Sequence, residues 1–141
     1  MKKTLSSIAT ALFMMISLSS FAASPNNPLK NMDSKAIVMT YVEATLLGSD
    51  LYNKYLLTDD FEYINTANND SFNKKAYLKF LKVNKGLKFE AKTSYEILDE
   101  TGKTCIAKAK SVFDNFTRVD YITLNKTDDG WKVSKVVTTY P

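Results

Sequence analysis

The order of parts constrains this chain most: helical spacing in the front half, strand alternation in the back half. Up to about Asn84 the apolar residues recur at helical intervals, broken once by a strand-like Phe61–Thr66. From Phe89 to Tyr140 they alternate, punctuated by Gly102 and Gly130. Alternation of this kind marks half-buried strands, and the glycines mark turns. Helices followed by an antiparallel meander predict an α+β domain, with three N-terminal helices gathered on one face of a strongly curved sheet. Such a cone encloses a pocket.

The first 22 residues read as a secretory signal. Lys2 and Lys3 supply the positive start, Ile8 to Leu18 is an uncharged apolar run, and Ser20-Phe21-Ala22 puts small residues at the first and third places before a cut. The run is short for a bilayer span, which needs roughly 20 apolar residues. No cysteine stands after it to carry a lipid. The expected product is exported and soluble, periplasmic or secreted, with no stable membrane anchor. Without Lys2 and Lys3, 17 basic residues face 15 acidic ones, a net charge of +2. The lysines are dispersed among acids, so nucleic acid is not an expected partner.

Composition removes several chemistries. The chain has no histidine and one cysteine, Cys105. An intrachain disulfide is impossible, a zinc or copper site is not expected, and Ser-His-Asp and Cys-His arrangements are excluded. No cofactor is implied.

Residues 23–32, with Pro25, Pro28 and three asparagines, read as a flexible leader to a domain at 33–141. Asp33 or Ser34 caps a first helix expected to run through Gly48 and to be buried on more than one side. A shorter helix carries Tyr52, Tyr55 and Leu56, and Asp59-Asp60 ends it. A polar loop at Ala67–Ser71 leads to a third helix, with Tyr77, Leu78 and Leu81 on one side and Lys74, Lys75, Lys79 and Lys82 on the other. Those lysines read as a solvated face. Four strands follow, at about Phe89–Leu98, Lys103–Phe113, Phe116–Lys126 and Trp131–Tyr140.

Alternation places Phe116, Arg118, Asp120, Ile122 and Leu124 on one face of their strand. The opposite face is not wholly polar either, so both sides of the sheet should be covered: helices and a pocket on the concave side, a second subunit on the convex side. Arg118, the chain's only arginine, lies two positions from Asp120, about 7 Å along the strand. It could anchor a carboxylate or carbonyl ligand, or neutralise Asp120. Cys105, Ala107, Ala109 and Ser111 make one face of the preceding strand small, leaving space for a bulky neighbour or a cavity.

Ala36-Ile37-Val38-Met39-Thr40-Tyr41-Val42-Glu43-Ala44, Gly48-Ser49-Asp50-Leu51 and Leu56-Leu57-Thr58-Asp59-Asp60-Phe61 resemble the opening of NTF2-like proteins. Val119-Asp120-Tyr121-Ile122-Thr123-Leu124 and Gly130-Trp131-Lys132-Val133 resemble their last hairpin. Within that superfamily the chain looks most similar to the exported bacterial group labelled lumazine-binding. Against the ketosteroid isomerase pattern, the resemblance sets Tyr41 at the hydrogen-bonding tyrosine, Asp120 at its acidic partner, and Asn65 at the aspartate base. An amide cannot take a proton from carbon as a carboxylate does. The resemblance therefore implies a polar pair without its base, and points away from an enzyme.

The reading is a non-catalytic module holding a small planar or apolar molecule in its cone. Tyr41, Tyr55, Tyr63, Asn65, Phe116, Arg118 and Asp120 are the candidate ligand-binding residues, with Tyr52 completing the aromatic set. Two alternatives stand beside it: an enzyme using Tyr41 and a protonated Asp120, which needs Arg118 to point away, and a structural interaction domain whose cone is filled by its own side chains. A homodimer through the convex sheet face is expected.

Overall fold

The computed structural model describes residues 26–141; the expected signal segment at 1–22 lies outside the described residues. The chain runs α1 (Ser34–Leu46), α2 (Asn53–Leu56), β1 (Leu57–Asn65), β2 (Asp70–Asn73), α3 (Lys74–Val83), β3 (Lys92–Thr101), β4 (Thr104–Val112), β5 (Thr117–Thr127) and β6 (Gly130–Thr139). The six strands form one sheet in the order β2-β1-β6-β5-β4-β3. It is an α+β fold, with three helices against a curved, open sheet. Register breaks in β1, β3 and at Thr123/Leu124 of β5 are bulges of the kind that bend a strand and raise its twist.

The helices start where the sequence provides a side-chain acceptor. Asp33 Oδ1 accepts from Ala36 N at 2.8 Å at the head of α1, and Asn73 Oδ1 from Ala76 N at 3.0 Å at the head of α3. Each satisfies an amide that the first turn would otherwise leave unpaired. α1 stops at Leu46 and not at Gly48, because Gly48 takes φ +64°, outside the helical region.

Four further features differ from the sequence reading. The sheet is mixed, because β1 and β6 pair in parallel, Tyr63 beside Val136 and Asn65 beside Thr138. The second helix ends at Leu56, since Leu57 already joins that pairing opposite Val133. The polar stretch Ala67–Ser71 expected as a loop runs into β2 at Asp70, a short edge strand exposed throughout. The leader, expected to be mobile, is part of the fold from Asn27 onward. Leu29 is 0% exposed, Asn27 Nδ2 donates to Asp129 O at 2.9 Å, and Leu29 N donates to Asn27 Oδ1 at 2.8 Å. The approach is close enough that a Cβ on Gly130 would lie 2.5 Å from Lys30 O.

The sheet therefore has a closed and an open end. The β3–β4 and β5–β6 turns and the docked leader close one. The other lies where β1, β4 and β6 finish and β3 and β5 begin. Between sheet and helices the interior is packed with Ile37, Val38, Phe61, Tyr77, Ile122 and Leu124, all buried. The small face of β4 makes room for this packing: Cys105, Ala107, Ala109 and Ser111 are buried, and α1 lies across β4 and β6.

Candidate polar site at the open end

Residues paired across neighbouring strands share a face, so the register gives the concave surface row by row. Leu57, Val133, Leu124 and Cys105 form an apolar row toward the closed end. Tyr63, Val136, Ile122 and Ala107 form the next. The chemistry then changes: Asn65, Thr138, Asp120 and Ala109 align across β1, β6, β5 and β4, and Arg118, Ser111 and Thr93 lie beyond them.

Asp120 is the centre of this cluster. Its Oδ1 accepts from Arg118 Nε at 3.0 Å and from Thr138 Oγ1 at 2.5 Å. Thr138 is 0% exposed and Asp120 nearly so, whereas the Arg118 side chain retains 18% exposure. The guanidinium is fixed through Nε, and its two terminal amino groups have no protein partner among the described residues. Burial, the largest single effect, pulls the Arg118 pKa down, but the Asp120 carboxylate together with Tyr41, Tyr77 and Tyr63 outweighs it and holds the guanidinium above its ordinary value. It is a fixed, permanent cation.

The helices bring two phenols to the same place. Tyr41 of α1 and Tyr77 of α3 share a hydrogen bond of 2.6 Å between their hydroxyls. Tyr77 stacks on Tyr63 with centroids 5.0 Å apart, and Tyr63 on Phe72 at 6.0 Å. Burial, then the Tyr77 and Asp120 charges, push the Tyr41 pKa well above its ordinary value; burial does the same to Tyr77. Both phenols stay protonated at neutral pH. As a pair they can present one hydroxyl proton, and they cannot act as bases.

The structure thus brings Tyr41, Tyr63, Arg118 and Asp120 together with Thr138 and Tyr77. Asn65 shares the row of Thr138, but its Oδ1 accepts from Ala67 N at 3.0 Å and shapes the turn after β1. Tyr55 lies elsewhere. Its carbonyl accepts from Lys132 Nζ near the closed end, and its ring packs on the edge of the core under Lys54. Phe116 is 50% exposed, stacks on Phe113 at 4.6 Å and meets Tyr140 at a tilt at 5.9 Å, a rim cluster outside the buried site. Tyr52 is half-buried against the core. Tyr77 and Thr138 were missed as polar partners, because each sits in an otherwise apolar set and its partner is 36 or 18 positions away. A hydroxyl on an inward position is the signal that could have found them.

Arg118 points at Asp120, so the geometry required for Asp120 to donate a proton to a carbonyl is not the one adopted. Two clefts among the described residues lie on the flanks. One of about 460 Å³ is lined by Thr58, Asp59, Lys74, Asp129 and Lys132. Another, of about 630 Å³, lies between Ser34, Glu100, Lys126 and Trp131.

No family model and no curated protein matches the sequence. Solved structures do. An NTF2-like protein of unknown function from Silicibacter pomeroyi superposes with TM-score 0.62 at 12% identity, over 76% of this chain and 92% of that one. An NTF2-like protein from Cytophaga hutchinsonii gives 0.60 at 16% identity, over 78% and 100%. A Parabacteroides distasonis protein, provisionally named a ketosteroid isomerase, gives 0.58 at 12% identity, over 82% and 94%. The chain has the NTF2-like fold, and identities this low carry the fold alone.

Proposed function

We propose that this is an exported, non-catalytic NTF2-like module that takes a small planar molecule bearing carboxylate or carbonyl oxygens at the open end of the cone. The observation that carries the reading is Arg118. Asp120, itself held by Thr138, locks its Nε side, and the terminal amino groups, without a protein partner among the described residues, leave a fork suited to planar oxygens. Tyr63 and Phe72 offer the neighbouring aromatic surface, and Asn65 a polar edge. Tyr41 and Asp120 act here as positioning residues, because Tyr41 is fully buried and Asp120 is engaged by its two donors. Asn65 at the base position and Arg118 turned onto Asp120 both argue against proton-transfer chemistry.

A second reading, an interaction domain without a small ligand, is favoured by the filled interior, in which Tyr41, Tyr77 and Ile122 occupy the space a deep pocket would need. Native mass spectrometry of protein from an exporting host separates the two. The first reading expects one small molecule per subunit, released on denaturation and lost in Arg118→Met. Protein with nothing released, and with no thermal shift from planar carboxylates, supports the second. The same spectrum reads subunit number. We propose a homodimer through the convex face, where Tyr121 and Ile106 are exposed among Lys108, Lys135 and Glu62, charges of both signs that a two-fold contact can match.

A further inference from the structure

The α1–α2 loop and the loop between α3 and β3 are pinned together beside the open end. Gly86 N donates to Gly48 O at 3.0 Å, Phe89 N donates to Leu46 O at 2.8 Å, and Lys85 Nζ meets Asp50 Oδ2 at 2.9 Å. Gly48 is the point of closest approach: a Cβ there would lie 2.6 Å from Gly86 N, on a residue already at φ +64°. The two loops and the last turn of α3 therefore present one fixed surface.

That surface is apolar where solvent is expected. Val83 is 73% exposed and Leu51 68%, and Leu47, Phe80, Leu87 and Phe89 are exposed as well. Phe80 stacks on Tyr77 at 5.8 Å with half of its surface still exposed, and Val83, one turn on, lies further round α3 from buried Tyr77 and Leu81. The same stretch is strongly basic. Residues 74–92 contain seven lysines and one acid, Glu90. Lys74 and Lys85 have carboxylate partners; Lys75, Lys79, Lys82, Lys88 and Lys92 have none among the described residues.

We propose that this surface is a docking face for a lipid bilayer carrying anionic headgroups. Large apolar side chains set among unpaired lysines match the two layers of such a target. The apolar groups enter the headgroup boundary, and the lysine stems extend along it with their charges at the phosphates. A second copy of the chain is a poor occupant, since it would set lysines against lysines. Among the described residues no helix is long and apolar enough to cross a membrane. The contact is therefore peripheral and reversible, and the pinned loops let it form with little ordering of the backbone.

The test is flotation of the exported protein, its mass verifying loss of residues 1–22, with vesicles of phosphatidylcholine alone or mixed with phosphatidylglycerol. The expected result is at least about tenfold more protein on the anionic vesicles, falling as salt rises. In Leu51→Ser/Val83→Ser and in Lys82→Glu/Lys88→Glu the bound fraction should fall at least about fivefold. Those positions are exposed, so the thermal midpoint of each variant should stay at that of the parent. Equal binding to both vesicle types, no binding to either, or binding unchanged in both variants overturns the proposal.

Discussion

The two ends of the concave surface are built by the same strands yet are opposite in chemistry. At the closed end, Leu57, Val133, Leu124 and Cys105 meet Leu29 of the docked leader, and every one of these side chains is buried and apolar. Two rows further along the same strands stand Asn65, Thr138, Asp120 and Arg118. The closed end gains by removing apolar surface from water, an effect that scales with area and accepts many residue types. The open end desolvates a cation, a carboxylate and three hydroxyl groups, and only their mutual hydrogen bonds offset that cost.

This contrast can be broken most sharply at Asp120. Asp120→Ala strands the buried Arg118 cation and the Thr138 hydroxyl, and should cost about 3–5 kcal/mol in urea unfolding. Leu29→Ala probes the other end. Removing a fully buried side chain between leader and sheet should cost about 2–5 kcal/mol, read by the same method. If the leader were merely a tether, the variant would unfold with the parent. Tyr41→Phe removes one hydroxyl of a buried pair and should cost about 1–1.5 kcal/mol.

The smallest effect is on pH dependence. The Tyr41 and Tyr77 pKa values are raised on folding, so below pH 10 both states keep these protons and the stabilisation is complete. Above that, the unfolded chain releases protons that the folded chain retains, and stability falls as pH rises toward the folded pKa values. The double variant Tyr41→Phe/Tyr77→Phe should lose stability less steeply than the parent above pH 10, in urea titrations at fixed pH steps.

The sequence revealed the closed end more fully than the open one. Alternation in β4, β5 and β6 identifies their inward residues directly, because a strand's period survives whatever its neighbours are. Arg118 and Asp120 were legible as same-face neighbours for that reason. The Tyr41–Tyr77 pair was not, since it depends on how α1 and α3 cross, which no local pattern encodes. β2 escaped because Asp70–Asn73 is exposed on both faces and so carries no alternation. The parallel β1–β6 pairing escaped because it joins residues more than 70 positions apart. Leu29 was overlooked among prolines and asparagines whose composition argues for a mobile segment, while one buried leucine and one bonded asparagine suffice to dock it.

The central claim is that the charged cluster at the open end is kept for recognition and not for folding. Replacing Arg118→Met, Asp120→Leu and Thr138→Val together removes the cluster without leaving a buried group unpaired. Urea unfolding of this triple variant beside Asp120→Ala is the direct measurement. The account predicts stability equal to the parent's or higher by about 1–4 kcal/mol, as found when buried ion pairs are exchanged for packed apolar groups. A triple variant as unstable as Asp120→Ala would contradict it, and would make the cluster part of what holds the fold together.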